Sequence, residues 1–226
     1  MPKLKSCNKD FFKTWSPEMA YVLGFFAADG YLAVNTRGGQ FWCFQIKDKE
    51  LLEKIKDVLG SNHAIGIRTS KLSQNPLYRL QIGSIEMCSD LRKLGFTQNK
   101  TTRLVFPQIP AQFLPDFVRG YFDGDGNVWS GIAHKNRNQP STIIQTCFTS
   151  CSKSFLEKLH IEIERETGNK GAIHPIKGKA CYRLQYSTQP SLKLYDFMYN
   201  GAVGGIFLKR KKIVFEKFIC SRSSTG

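Results

Sequence analysis

Acidic residues are scarce. Asp and Glu total 18 against 33 Lys and Arg, which leaves a formal net charge of +15. A surplus that large repels itself in a compact chain and is most simply offset by a polyanion, so nucleic acid is the first partner to test. Long apolar runs are missing as well. The longest, Ala20 to Ala28, is interrupted by Gly24 and is too short to span a bilayer. The opening residues MPKLKSCNKDFFKTW carry no apolar block of the secretory type, and a soluble intracellular protein without a membrane partner is expected. Only four histidines occur, scattered at His63, His134, His160 and His174, and the seven cysteines include no CxxC pair, which speaks against a structural zinc site. A reducing compartment speaks equally against disulfides. What is present is enough to build a core: 41% of the residues are hydrophobic and 12% aromatic, which argues against disorder.

The chain repeats itself once. Leu23-Gly24-Phe25-Phe26-Ala27-Ala28-Asp29-Gly30 is echoed by Arg119-Gly120-Tyr121-Phe122-Asp123-Gly124-Asp125-Gly126, 96 positions later. Further pairs follow in the same order. Asp48 to Lys54 matches Ser152 to Lys158, and Tyr78-Arg79-Leu80-Gln81 is identical to Tyr182-Arg183-Leu184-Gln185, now 104 apart. The second copy therefore carries about eight extra residues, most naturally within the polar stretch His134 to Ser141. Two similar halves are expected, 1–106 and 114–226, joined by a linker over 107–113 where Pro107 and Pro110 discourage regular structure.

Each half has the grammar helix, two strands, helix, two strands, helix. Ser16-Pro17-Glu18 supplies an N-cap, a first-turn proline and a first-turn acid for a helix from Pro17 to about Ala28. Strands are predicted within Tyr31 to Lys47 and Ile65 to Ile82. Between them Leu51, Leu52, Ile55, Val58 and Leu59 have helical spacing behind a capping Asp48. A helix over Ile85 to Leu94 closes the half. The second half repeats this with helices over Ala111 to Gly124, Ser152 to Thr167 and Pro190 to Asn200, and strands within Asn127 to Thr149 and Gly171 to Tyr186. The fold class is mixed α/β.

The two Asp-Gly helix ends carry the chemistry. Gly24 and Ala28, and Gly120 and Gly124, lie four apart and leave flat stripes along which two helix backbones can approach closely. Packed with one polarity, the helices bring Asp29 and Asp125 together, while Gly30 and Gly126 are expected to turn the chain away in a left-handed conformation. Two carboxylates at helix C-termini repel one another, and a divalent cation is the natural relief. Mg²⁺ in particular takes oxygen ligands and is commonly held by one or two carboxylates plus substrate phosphates. A single Asp-Gly is usually only a cap and turn; its duplication in a basic chain favours metal binding. Asp123 matches Ala27 in the first copy, so symmetric chemistry does not require it and a local hydrogen-bonding role is expected.

With these residues in view, Leu23 to Gly30 and Arg119 to Gly126 resemble the paired motifs of LAGLIDADG homing endonucleases of the single-chain, two-motif type, over nearly the whole chain. The resemblance implies two pseudo-symmetric αββαββα half-domains packed through their motif helices, each presenting a saddle-shaped antiparallel sheet to DNA. It implies that Asp29 and Asp125 bind the metal ions, with the carbonyls of Ala28 and Gly124 completing the coordination, and that both strands are cut to leave 3′ overhangs. The sequence departs from the motif at Ala27, where the family often has an acid. Among the family's supporting basic residues, Lys100 and Lys211 are the candidates to stabilise charge on the scissile phosphates. Asp48 and Ser152 resemble positions near the site but already have work as helix N-caps.

A two-stranded ribbon fits the major groove and reads base edges through Arg and Gln. The predicted strands supply Arg37, Gln40, Gln45, Arg68, Arg79 and Gln81 in the first half, and Lys135, Arg137, Asn138, Gln145, Lys177, Lys179, Arg183 and Gln185 in the second. Alternation leaves Phe44, Ile46, Leu80, Ile82, Phe148 and Leu184 to pack on helices. Because the halves, apart from the shared Arg79/Arg183 and Gln81/Gln185, differ at nearly every polar strand position, an asymmetric double-stranded DNA target is expected.

The favoured function is thus a monomeric, intron-encoded, Mg²⁺-dependent, sequence-specific endonuclease that binds without cutting when Ca²⁺ replaces Mg²⁺. The alternative is a non-catalytic binder of the same fold, an intron RNA maturase or a DNA-binding regulator. Retention of both acids favours cleavage. A regulator would be expected to add a helix-turn-helix segment, whereas a short Ser-rich tail follows Phe215, and neither end shows the splicing blocks of an intein.

Overall fold

A computed structural model describes residues 5–70, 73–98, 102–133, 141–202 and 205–223. The order is α1 (Pro17–Asp29), β1 (Gly30–Val34), β2 (Gln40–Ile46), α2 (Lys49–Val58), β3 (Gly66–Ser70), β4 (Ser73–Gly83) and α3 (Ile85–Lys93). It continues with α4 (Leu114–Asp125), β5 (Gly126–Ala133), β6 (Ser141–Ser150), α5 (Lys153–Thr167), β7 (Ala172–Pro175), β8 (Tyr182–Tyr186), α6 (Thr188–Tyr199) and α7 (Lys209–Ser223). One 3₁₀ turn, Ala111–Phe113, leads into α4. The strands form two antiparallel four-stranded sheets of matching order, β1-β2-β4-β3 and β5-β6-β8-β7. The mixed α/β, two-sheet fold expected from the repeat is the one observed.

Register locates the extra residues of the second copy. Gly30 faces Phe44, 14 positions on, while Gly126 faces Phe148, 22 positions on. The difference of eight falls within the β5–β6 hairpin, as the sequence offsets require.

The core is built around α1 and α4. Ser16 caps α1 by accepting from the Met19 N–H at 3.1 Å. Every residue from Met19 to Ala27 is buried, so this helix is covered on all sides. Its partner α4 lies directly against it. A β-carbon on Gly24 would fall 2.0 Å from the Phe117 carbonyl oxygen, and one on Gly120 would fall 2.1 Å from that of Tyr21. No side chain fits at either position, which explains the two glycines. One face of each sheet packs on this pair through Phe44, Ile46, Leu80, Ile82, Phe148 and Leu184, all buried. The rings of Phe26, Phe44 and Trp42, and those of Phe122 and Phe148, meet mostly edge to face.

Four differences from expectation have physical reasons. Gly30 and Gly126 are extended, at φ −80° and −88°, not left-handed. They are glycines because a β-carbon would strike the ring of Phe26 or Phe122, one turn earlier, at 2.1 and 2.2 Å. Asp48 makes no capping bond to α2; its carboxylate instead accepts from Arg210 Nε at 3.3 Å and Nη2 at 3.1 Å. A helix unforeseen in the sequence, α7, occupies the basic segment after Leu208. Finally, Cys151 and Cys181 form a disulfide where composition argued against one. The antiparallel register pairs Ser150 with Tyr182, so the next residues outward, 151 and 181, are brought side by side.

Candidate metal centre and nucleic-acid face

Asp29 and Asp125 end the two central helices, and both are exposed. The buried acid of the motifs is Asp123. The helices converge at this end. A methyl group on Gly124 would sit 2.3 Å from the Ala28 β-carbon and 3.1 Å from Asp29 Oδ2, so the Asp29 carboxylate lies directly over the last turn of α4. Asp29 and Asp125 also act on the same neighbours. Both help hold up the pKa of the Lys211 ammonium, and both add to the burial that raises that of the Tyr121 hydroxyl.

A cleft flanks each acid, and the two clefts are related by the repeat. One, of about 230 Å³, places Asp29 with Gln45, Ile46 and Lys47 from the end of β2 and with Asp123 and Gly124 from α4. The other, of about 220 Å³, places Asp125 with Thr149, Ser150 and Cys151 from the end of β6 and with Ala27 and Ala28 from α1. Residues 149–151 are the repeat partners of 45–47. Each cleft thus combines the acid of one helix with the terminal turn of the other.

The donors present fit a hard divalent cation. Two carboxylates stand at the negative ends of two helices, next to the terminal backbone carbonyls, and all of these donors are oxygen. Among the described residues no group of three or more His, Cys, Asp and Glu side chains converges.

Lys211, at the start of α7, reaches under this end of α4. Its Nζ donates to the carbonyls of Phe122 (2.6 Å), Asp123 (2.8 Å), Gly124 (3.4 Å) and Gly126 (2.6 Å). Burial pushes its pKa down to about 8, while the neighbouring Asp123 charge opposes the shift. Asp123 accepts from the Tyr21 hydroxyl at 2.7 Å and from the Leu208 N–H at 2.8 Å, binding α1, α4 and the start of α7 together. Burial raises its carboxyl to about 6. Arg119, also buried, donates to the carbonyls of Met198 (2.7 Å) and Ile206 (3.1 Å), fixing the segment that leads to α7. Neither the Arg119 anchor nor Tyr21 was found from sequence. Ser152 does cap α5, accepting from Phe155 N–H and donating to the Leu104 carbonyl at 2.8 Å.

The sheet faces turned away from the helices carry most of the expected polar residues. Gln45 pairs with Arg79 and Cys43 with Gln81, and Arg68 pairs with Leu77 on the same face. In the second sheet Gln145, Arg183 and Gln185 share the open face, with Arg183 opposite Thr149 and Gln185 opposite Cys147. Four of the expected residues lie elsewhere. Gln40 lies on the helix side, where its Oε1 accepts from Arg92 of α3 at 2.6 Å. Arg37 lies in the β1–β2 turn, and Lys177 and Lys179 lie in the β7–β8 connection rather than in strands. Lys100, Lys135, Arg137 and Asn138 lie outside the described residues.

Two four-stranded sheets thus pack on a central helix pair whose ends carry acids. Residues 16–94 match the family model described as a LAGLIDADG-like domain. In fold, the chain resembles the single-chain LAGLIDADG homing endonucleases. It superposes on the LAGLIDADG meganuclease I-AabMI bound to uncleaved DNA with a TM-score of 0.61 and 17% identity, over 93% of this chain and 91% of that one. Variants of the homing endonuclease I-DmoI match with a TM-score of 0.55 and 16% identity, over 84% and 92%. I-SmaMI, bound to an uncleaved DNA target in the presence of calcium ions, matches with a TM-score of 0.52 and 14% identity, over 83% and 85%. An uncharacterised protein of Methanocaldococcus jannaschii is 25% identical over 95% of this chain and 78% of its own length. Among the described residues, no helix is long and apolar enough to cross a membrane.

Proposed function

We propose that this protein is a sequence-specific, divalent-metal-dependent endonuclease that cuts both strands of an asymmetric DNA duplex. The observation that carries the reading is the pairing of Asp29 and Asp125 at converging helix ends, each beside its own cleft. Asp29 and Asp125, with the carbonyls of Ala28 and Gly124, would hold the ions, Mg²⁺ by the hardness of the donors. A divalent ion bound there supplies activation of the attacking water and neutralisation of charge on the leaving oxygen. The chain's own residues do the rest. Gln45 and Lys47 in one cleft, and Thr149 and Ser150 in the other, border the space where a scissile phosphate lies. Lys211 acts as a positioning residue: its ammonium gathers the last carbonyls of α4 and fixes the direction in which Asp125 points. Arg68, Arg79, Gln81, Gln145, Arg183 and Gln185 face the major groove. Lys100, which like Lys211 follows the third helix of its half, is the candidate for a matching role in the first half. The protein works as a monomer, since one chain supplies both acids, and the reading extends to an intron-encoded element whose product leaves 3′ overhangs.

Duplexes selected from a randomised pool by binding in Ca²⁺ test this. In Mg²⁺ the selected duplex is cut on both strands, and in Ca²⁺ it is bound and left whole. Selection of single-stranded RNA in preference to duplex DNA, with no cutting in Mg²⁺, would instead support the maturase reading.

A further inference from the structure

Trp129 is the one large aromatic among the described residues that stands well out of the core, with 49% of its surface exposed. Its place in β5 decides which way it faces. Val128 is buried against the helices, so Trp129 takes the opposite, open face of the sheet. There it pairs directly with Gln145, and it shares that face with Arg183 and Gln185 of β8. The indole leans along the strand over Gly131. A β-carbon on Gly131 would lie 2.5 Å from Trp129 Cζ2 and 2.9 Å from Cη2. Gly131 has no left-handed backbone to explain it; what it provides is the room in which the ring lies. In the first half the repeat partner of Trp129 is Ala33, so the feature belongs to one sheet only.

A tryptophan side chain offers one N–H donor and otherwise apolar surface. It is poorly suited to the donor and acceptor pattern of the base edges. The apolar feature those edges present in the major groove is the C5-methyl group of thymine. Resting on the nuclease reading above, we infer that Trp129 is a specificity-determining residue that contacts a thymine methyl in the half-site read by the second sheet, beside the base pairs met by Gln145. Cytosine methylated at C5 in that place would be accepted in the same way.

The test uses the full chain and a duplex selected by binding in Ca²⁺, resynthesised with single dT→dU replacements. One buried methyl is worth about 0.8 kcal/mol, close to a fourfold change in affinity. Wild type is expected to lose about fourfold at one or two positions in one half-site, and to regain it when a 5-methyl group is restored. W129A binds the dT and dU duplexes alike. Gly131→Val, which displaces the indole without removing it, loses the same discrimination. Absence of any dU-sensitive position, or persistence of that sensitivity in W129A, overturns the inference while leaving the nuclease reading intact. Failure to select any duplex at all overturns both.

Discussion

At the scale of single residues, the two motifs divide their acids between exposed and buried duties. That Asp29 and Asp125 end two matching helices was legible in the sequence because the motif is duplicated. The role of Asp123 was legible only in outline: its asymmetry excluded shared chemistry, but its partners Tyr21 and Leu208 are 102 and 85 positions away. Lys211 is the more instructive case. The family resemblance picked it from a run of four basic residues as a partner for the scissile phosphates, but its burial and its bonds to backbone carbonyls could be seen only in the fold. Removing its ammonium takes a buried donor away from the carbonyls of Phe122, Asp123 and Gly126, so Lys211→Met is expected to lower stability by about 2–4 kcal/mol. Urea denaturation measures this, and Lys209→Met, on the exposed side of the same turn, should change it little. A Lys211→Met protein as stable as wild type would remove the positioning role.

At the scale of elements, the helix pair was readable from the small residues at Gly24, Ala28, Gly120 and Gly124, and the contact is close enough to test by a single methyl. Gly24→Ala places a β-carbon 2.0 Å from a backbone oxygen of the opposing helix, which has no flexible end to move aside. The helices must separate, at a cost of about 3 kcal/mol or more. Gly38→Ala, at a positive φ in an open turn with nothing nearby, should cost about 1 kcal/mol through backbone strain alone. Equal losses for the two in chemical denaturation would contradict the packing account. The element that sequence missed, α7, has charged residues on several sides and a helical content set by what it rests on, namely β5 and the end of α4. The disulfide escaped for a related reason: Cys151 and Cys181 are neighbours only once β6 and β8 are in register.

At the scale of the whole molecule, the repeat predicted two sheets, a shared core and the hairpin that holds the extra residues, because offsets in matching segments survive folding unchanged. It could not predict how the halves differ around the acids. One cleft has Lys47, Asp48 and Arg210 at its edge, and the other has the Cys151 disulfide. The charge of +15 implies many phosphate contacts, so affinity for the selected duplex should fall about 10³-fold or more between 50 and 200 mM salt. A shallow dependence would mean that the basic faces do not meet the backbone.

Two carboxylates, one from each half, are proposed to form a single ion-binding centre against DNA. Its most direct measurement is strand-resolved cleavage of the selected duplex in Mg²⁺ by wild type, Asp29→Asn and Asp125→Asn, with binding to the same duplex followed in parallel. Wild type is expected to cut both strands, neither variant to make a double-strand break, and both variants to bind nearly as tightly as wild type. Double-strand cleavage retained by both variants would contradict it.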